Sequence, residues 1–119
     1  MTNEKKNETA GETATVKKAM ISQPMVGKTD EEIAAARDLA VAKLRQMGYE
    51  VADTVLDFTA ELLEALEVVN SPVYYLGTSI QAMSRCTTVY FLKGWNDARG
   101  CKIEHDIATA YGFEVLYEE

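Results

Sequence analysis

The chain has 119 residues, a hydrophobic share of 47% and a formal net charge of −7 at pH 7. These values fit one domain with a single moderate core, and the acidic balance argues against binding a nucleic-acid polymer or an anionic membrane. No run approaches the roughly 18 apolar residues that cross a bilayer. A small phosphorylated ligand is not excluded, because helix N-termini bind phosphate without net positive charge.

Residues 1–16 are predicted to form a flexible tail and residues 17–119 the folded domain. The tail contains almost no large apolar side chain, so burial cannot offset its ordering entropy. It also lacks the apolar region of a signal peptide, which favours a cytoplasmic protein. Cys86 and Cys101 are then expected to be thiols, and they are too few and too far apart for a zinc cluster, so we expect no metal.

The first half of the domain is predicted to be a strand, a helix and a second strand. "KKAMIS" (17–22) is typical of a strand, and "QPMVGK" interrupts it. A helix follows, beginning with a capping box formed by Thr29 and Glu32 and ending at Gly48. "YEVADTVL" (49–56) is the second strand. This order favours a parallel pair with a right-handed crossover.

Two helices are predicted next. Residues 57–70 carry apolar side chains at helical spacing and indicate a short amphipathic helix, which is either a surface helix or a lid or subunit contact. Ser71 then resembles an N-cap and Pro72 a first helical position. That helix continues to about Arg85.

The C-terminal third is predicted to be strand, loop, helix and strand. "TTVYFLK" (87–93) is rich in β-branched and aromatic residues and is predicted to be a central strand. After "GWNDARG", a helix places four residues on one apolar face and ends at Gly112: Ile103, Ile107, Ala110 and Tyr111. "FEVLY" (113–117) is the last strand. The alternation predicts an α/β, flavodoxin-like three-layer sandwich with a parallel sheet of four or five strands in the order 2-1-3-4.

In such a sheet, ligands bind beyond the carboxyl ends of the strands where strand order reverses, here between strands 1 and 3. The loops that leave those strands are "SQPMVGKT" and "GWNDARG". Glu104 lies on the first turns of the helix after the second loop. Its carboxylate is therefore predicted to lie at the mouth of the cleft.

Each cleft residue also has a structural interpretation. Glu104 could complement the helix dipole, and His105 beside Asp106 is more typical of a solvated surface pair than of a general base. Trp95 could be a core aromatic or a platform for a ring. Lys28 and Arg99 could be solvated or could contact phosphate. Ser22 could merely end its strand. Three glycines could merely allow turns: Gly27, Gly94 and Gly100. No nucleotide-binding glycine motif, metalloprotease motif or Ser/His/Asp motif is present.

Several stretches resemble a known family. "KKAMISQPMVGKT", "GYEVADTV" and above all "CTTVYFLKGWNDARGCKIEHDIATAYGFEVLY" are similar to small bacterial and phage-borne relatives of nucleoside 2-deoxyribosyltransferases. The resemblance covers residues 17–117 and is strongest over 89–116. It implies cleavage or transfer at the N-glycosidic bond of a nucleoside or nucleotide, without a cofactor.

The resemblance also implies roles for individual residues. Glu104 matches the glutamate that attacks the anomeric carbon and forms a covalent sugar–enzyme intermediate, which water or a second base resolves. The family's aspartate six residues before the nucleophile is replaced by Ala98, and Asp97, one position away, is the candidate proton donor. The remaining candidate substrate contacts are Ser22, Pro24, Met25, Gly94, Trp95, Arg99 and Gly100, with Trp95 flanking the base. Because of Ala98, hydrolysis and a non-catalytic nucleotide-binding module remain alternatives.

A homodimer or larger homo-oligomer is predicted from an apparent surplus of apolar side chains. A sheet of this size cannot comfortably cover all of the following: Phe58, Leu63, Tyr74, Tyr75 and Met83. An exposed patch of this kind marks a subunit interface, as the family resemblance also implies, and we expect a two-fold contact built mainly from helix 72–85. The alternative is a monomer with scattered surface tyrosines.

Overall fold

The computed structural model describes residues 16–52 and 59–119. The strands are β1 (Lys18–Ser22), β2 (Glu50–Val51), β3 (Thr88–Phe91) and β4 (Glu114–Tyr117). The helices are α1 (Asp30–Gln46), α2 (Ala60–Ala65), α3 (Ser71–Met83) and α4 (Arg99–Ala110), and a short 3-10 turn spans Trp95–Asp97.

The four strands form one parallel sheet in the order β2-β1-β3-β4. β1 and β3 are the central pair, with Ser22 in register with Phe91, and every residue of β3 is buried. The predicted fold class and strand order are confirmed, with four strands.

Helices cover both faces of the sheet because alternate strand residues point to opposite sides. On one face α1 packs on a core of Ala19, Ile21, Ala40, Leu44, Tyr90 and Leu92. On the other face α3 and α4 pack on a core of Met20, Ala82, Met83, Val89, Phe91 and Ala108. The carboxyl ends of β1 and β3 therefore emerge between two helical layers.

The N-termini of α1 and α3 are capped by side-chain hydrogen bonds. Glu32 N donates to Thr29 Oγ1 at 3.0 Å, and Thr29 N donates to Glu32 Oε1 at 2.9 Å, which confirms the predicted capping box. The predicted cap of α3 is wrong by one residue. Asn70 is the N-cap, since its Oδ1 accepts from Val73 N at 3.1 Å, and Ser71 is the first helical residue. Asparagine and serine are equivalent cap residues, so sequence alone does not separate them.

Two predicted elements differ in extent within the described residues. β2 pairs with β1 only through Glu50 and Val51, and the rest of the predicted strand, from residue 53, lies outside the described residues. Within the described residues 59–70, a helix spans Ala60–Ala65. Glu67 then adopts a left-handed backbone conformation, with φ of 60°, which cannot continue a right-handed helix.

The apolar side chains that were expected to form a subunit interface do not all lie on the surface. Met83 is 1% exposed and belongs to the core, so its assignment to an interface is wrong. Leu63, Tyr74 and Tyr75 are half-buried, and Phe58 lies outside the described residues. The fully exposed apolar side chain in this region is Val69. No helix in the described segments is long and apolar enough to span a bilayer.

Candidate functional site

The loops after β1 and β3 meet at the carboxyl edge of the sheet. Pro24 is buried, and a Cβ at Gly94, whose φ is +90°, would lie 3.5 Å from Pro24 Cγ. Leu92 N donates to Ser22 O at 3.0 Å, which joins the strand ends. Glycine at 94 is therefore favoured by its left-handed backbone conformation, since a contact of 3.5 Å would by itself admit a Cβ. The two loops therefore meet at the predicted edge of the sheet.

Glu104 lies on the face of α4 that packs on the sheet. The buried residues of this helix are Cys101, Glu104 and Ala108, which follow i, i+3, i+7 spacing. The predicted apolar face is wrong for Ile103, Ala110 and Tyr111, which are exposed, and only Ile107 is half-buried against the core. The prediction failed because a pattern of apolar residues alone misplaces a helix whose buried face includes a carboxylate.

The Glu104 carboxylate is held by the end of β1. Ser22 Oγ donates to Glu104 Oε1 at 2.6 Å, and both side chains are buried, with Glu104 7% exposed. Ser22 reaches α4 because it follows Met20 at the two-residue period of a strand and points to the same face. Glu104 lies in the second turn of α4, beyond the first turn where the helix dipole acts. A surface carboxylate that only complements the dipole would not be buried there.

The environment of Glu104 acts on its pKa in two directions. Burial raises the pKa of the carboxyl above its usual value, and hydrogen bonds from Ser22 and Ser79 oppose part of that rise. Strongly perturbed carboxyls in clefts are candidate functional groups. Ser79 was not predicted as a site residue, although it lies three residues after Leu76 and four before Met83 and so shares the inward face of α3.

Cys101 is a buried free thiol beside this carboxylate. Burial raises its pKa, a hydrogen bond with Ser22 lowers it, and the charge of Glu104 raises it again. A thiol with a raised pKa remains protonated and is a poor nucleophile. Of the two, the Glu104 carboxylate is therefore the better candidate nucleophile.

Trp95 and His105 form part of an aromatic cluster. Their rings stack with centroids 4.2 Å apart and an interplanar angle of 23°, and the Phe91 ring lies 5.4 Å from that of Trp95. His105 Nε2 shares a hydrogen bond of 2.7 Å with the Tyr117 hydroxyl. The interpretation of His105 as half of a solvated pair with Asp106 is wrong. Trp95 is a partly buried packing residue, with one ring face covered by His105.

The remaining predicted residues surround the start of α4. Asp97 lies exposed in the 3-10 turn, and Arg99, also exposed, is the first residue of α4. The N-cap is Ala98, which makes no side-chain hydrogen bond to the first turn. A Cβ at Gly100 would meet no atom within 4 Å. Free backbone N–H groups beside open space can bind an anion.

Two grooves lie on the α1 face of the sheet, opposite Glu104. One of about 340 Å³ is lined by residues that include Pro24, Lys28 and Lys93, and one of about 380 Å³ lies along α1. Neither is lined by Glu104, so the buried carboxylate, and not groove size, identifies the candidate site. Among the described residues no cluster of three or more His, Cys, Asp or Glu side chains could hold a metal ion. Met25 is exposed on the loop after β1.

Comparison with curated proteins and with solved structures finds no match. A family model described as "Domain of unknown function (DUF4406)" matches residues 17–117. That match covers most of the chain and nearly all of its described residues, including β1, β3 and α4. The chain belongs to the DUF4406 family.

Proposed function

We propose that the protein cleaves or transfers the N-glycosidic bond of a nucleoside or nucleotide in the cytoplasm, with Glu104 as the nucleophile. The observation that carries the proposal is the buried Glu104 carboxylate, hydrogen-bonded to Ser22 at the carboxyl edge of β1. A buried carboxylate on a helix face that packs on a sheet is costly for folding. Its presence there is better explained by chemistry than by stability. The resemblance to nucleoside 2-deoxyribosyltransferases supports the same assignment.

The reaction follows from the two oxygens of Glu104. Ser22 donates to Oε1, and we assign the attack on the anomeric carbon to Oε2. As the C–N bond breaks, its electron pair leaves with the base, which takes a proton from Asp97, and Oε2 forms an ester with the sugar. Water or a second base then displaces the carboxylate. The low local dielectric strengthens the attraction between the carboxylate and an oxocarbenium-like transition state.

The hydroxyls around Glu104 keep the carboxyl reactive. Burial favours the protonated acid, which cannot attack, whereas Ser22 and Ser79 donate hydrogen bonds that favour the ionised form. The helix start supplies the complementary contacts: Arg99 and the N–H of Gly100 bind the sugar or its phosphate. On the other side of the crevice, Pro24, Met25 and Gly94 border the base, and Trp95 supports this wall.

A non-catalytic module that binds a nucleotide or a nucleotide-derived signal is the second candidate. The residue that favours it is Ala98, an N-cap without a proton-donating side chain. Calorimetry with nucleoside monophosphates separates the two candidates. Tight binding without base release over hours supports the module, and multiple turnovers exclude it.

The test of the proposed reaction is a panel of deoxynucleosides, nucleoside monophosphates and NAD, with free base as the readout. We expect base release by the wild-type protein and its loss in Glu104→Ala. Glu31→Ala is the matched control, because Glu31 is exposed in the first turn of α1. Turnover that persists undiminished in Glu104→Ala contradicts the mechanism.

We also propose that the chain self-associates through α3. No charged residue occurs between Glu67 and Arg85, and Val69 and Val73 are 99% and 62% exposed. Two copies, each with a net charge of −7, repel least through an uncharged face. Light scattering should give a mass above the 13.2 kDa of one chain, and Val73→Glu should reduce it to that value. A wild-type monomer at micromolar concentration contradicts the proposal.

A further inference from the structure

The loop after β3 is fastened by residues at the end of β4. Glu118 N donates to Phe91 O at 2.9 Å, and Lys93 N donates to Glu118 Oε1 at 2.7 Å. These bonds fix the position of Tyr117, the last residue of β4, relative to the start of the loop. The base of the loop is thus held by main-chain and side-chain hydrogen bonds.

Contacts through Tyr117 and His105 connect the end of β4 to Trp95. The Tyr117 hydroxyl bonds His105 Nε2 at 2.7 Å, and the imidazole stacks on the indole at 4.2 Å. Phe91 closes the cluster, with its ring edge-on to His105 at 5.0 Å. The hydrogen bond restricts rotation of the imidazole, and the stacked imidazole restricts the indole. Phenylalanine at 105 would keep the stack but lose the hydrogen bond.

We propose that His105 and Tyr117 are positioning residues that hold Trp95, and with it the loop 94–98 that leads into α4. The loop carries Asp97 and ends at the N-cap Ala98. Its position therefore sets where Asp97 lies relative to Glu104, which is carried by α4. On the proposed function, which this consequence assumes, a loosened loop misplaces the proton donor Asp97 and so slows bond cleavage as well as weakening substrate binding.

The chain contains one tryptophan and one histidine, so tryptophan fluorescence reports on Trp95 alone. Hydrogen exchange of the loop amides 94–98 and acrylamide quenching of Trp95 fluorescence report loop position without any turnover. The variants are Tyr117→Phe, His105→Phe and His105→Ala. Tyr111→Phe is the matched control, because this exposed tyrosine also lies at the C-terminal end of α4.

Tyr117→Phe and His105→Phe each remove the one hydrogen bond, so both should speed exchange of the loop amides about fivefold. Adding Tyr117→Phe to His105→Phe should have no further effect, whereas His105→Ala, which also removes the stack, should exceed both. Trp95 quenching should follow the same order, and Tyr111→Phe should match the wild type. With an active substrate, Tyr117→Phe should lower kcat, because Asp97 is displaced, and should also raise KM.

Wild-type exchange and quenching in all three variants would overturn the inference. So would a lower melting temperature in Tyr117→Phe with unchanged exchange at 94–98, because that result describes a purely structural role. If no nucleoside is cleaved by the wild-type protein, the proposed function fails, but the exchange and quenching results still decide whether the two residues position the loop.

Discussion

Replacing Glu104 with glutamine is expected to stabilise the protein at neutral pH while abolishing base release. The amide keeps the shape of the side chain and can still accept a hydrogen bond from Ser22, but it carries no charge into the buried site. Removing that cost should raise the free energy of unfolding by about 1 kcal/mol, or roughly 4–8 °C in Tm for a domain of this size. Loss of the nucleophile should lower kcat by roughly 10⁴-fold or more.

The sign of the pH dependence follows from the raised pKa of Glu104. The folded protein binds this proton more tightly than the unfolded chain does. The wild-type stability from this group is therefore fully present below the unfolded pKa of about 4.3, and it is lost as pH rises through the folded value. Glutamine does not titrate, so the advantage of Glu104→Gln should be absent near pH 4 and should grow towards neutral pH.

Glu114→Gln is the matched control, and the pH dependence of its effect on stability should have the opposite sign. Glu114 accepts hydrogen bonds of 2.8 Å from Tyr49 and Thr88, and these lower the pKa of its carboxyl. Its stabilisation is present above the unfolded pKa and is lost as pH falls through the folded pKa. Because the side chain is 39% exposed, solvent screening limits the neutral-pH loss in Glu114→Gln to about 1 kcal/mol. Thermal unfolding from pH 4 to pH 8 measures both variants, and a Glu104→Gln protein less stable than wild type at pH 7.5 would refute the reasoning.

Three further predictions concern the cleft. Ser22→Ala removes the donor to Oε1, so the pKa of Glu104 should rise further. The acidic limb of the pH profile for base release should then move to higher pH. An unchanged acidic limb would show that Ser22 does not control the ionisation of Glu104. Gly100→Ala should fold with equal or slightly greater stability, by about 0.5 kcal/mol, because its Cβ meets open space. Its ligand affinity should fall, and calorimetry that finds unchanged affinity would place the ligand elsewhere. Asp97→Asn should lower kcat by roughly 10²–10⁴-fold with less than about 0.5 kcal/mol change in stability, and unchanged turnover would assign the proton donor to another group.

Sequence reasoning recovered the features that depend on local chemistry. The capping box of Thr29 and Glu32 and the buried strand at "TVYF" follow from residue type and spacing. The crevice between β1 and β3 follows from strand order, since parallel strands with crossover helices leave few arrangements. The position of Glu104 after the loop that leaves β3 also predicts that it lies at this edge.

The features that were missed depend on tertiary packing. The rotation of α4 about its axis decides that Glu104 faces the sheet and Tyr111 faces solvent, and no count of apolar residues reveals that rotation. The partnership of His105 with Tyr117 joins residues 12 positions apart on different elements. Met83 was assigned to the surface because the capacity of the core could not be judged before the second layer was seen.

The most direct measurement of the central claim is base release by wild type and by Glu104→Gln under identical conditions, at a pH where both are folded. The account predicts that the wild-type protein releases free base from at least one nucleoside or nucleotide and that Glu104→Gln does not, although it melts at an equal or higher temperature. Base release that continues at the wild-type rate in Glu104→Gln would contradict the assignment of Glu104 as the nucleophile.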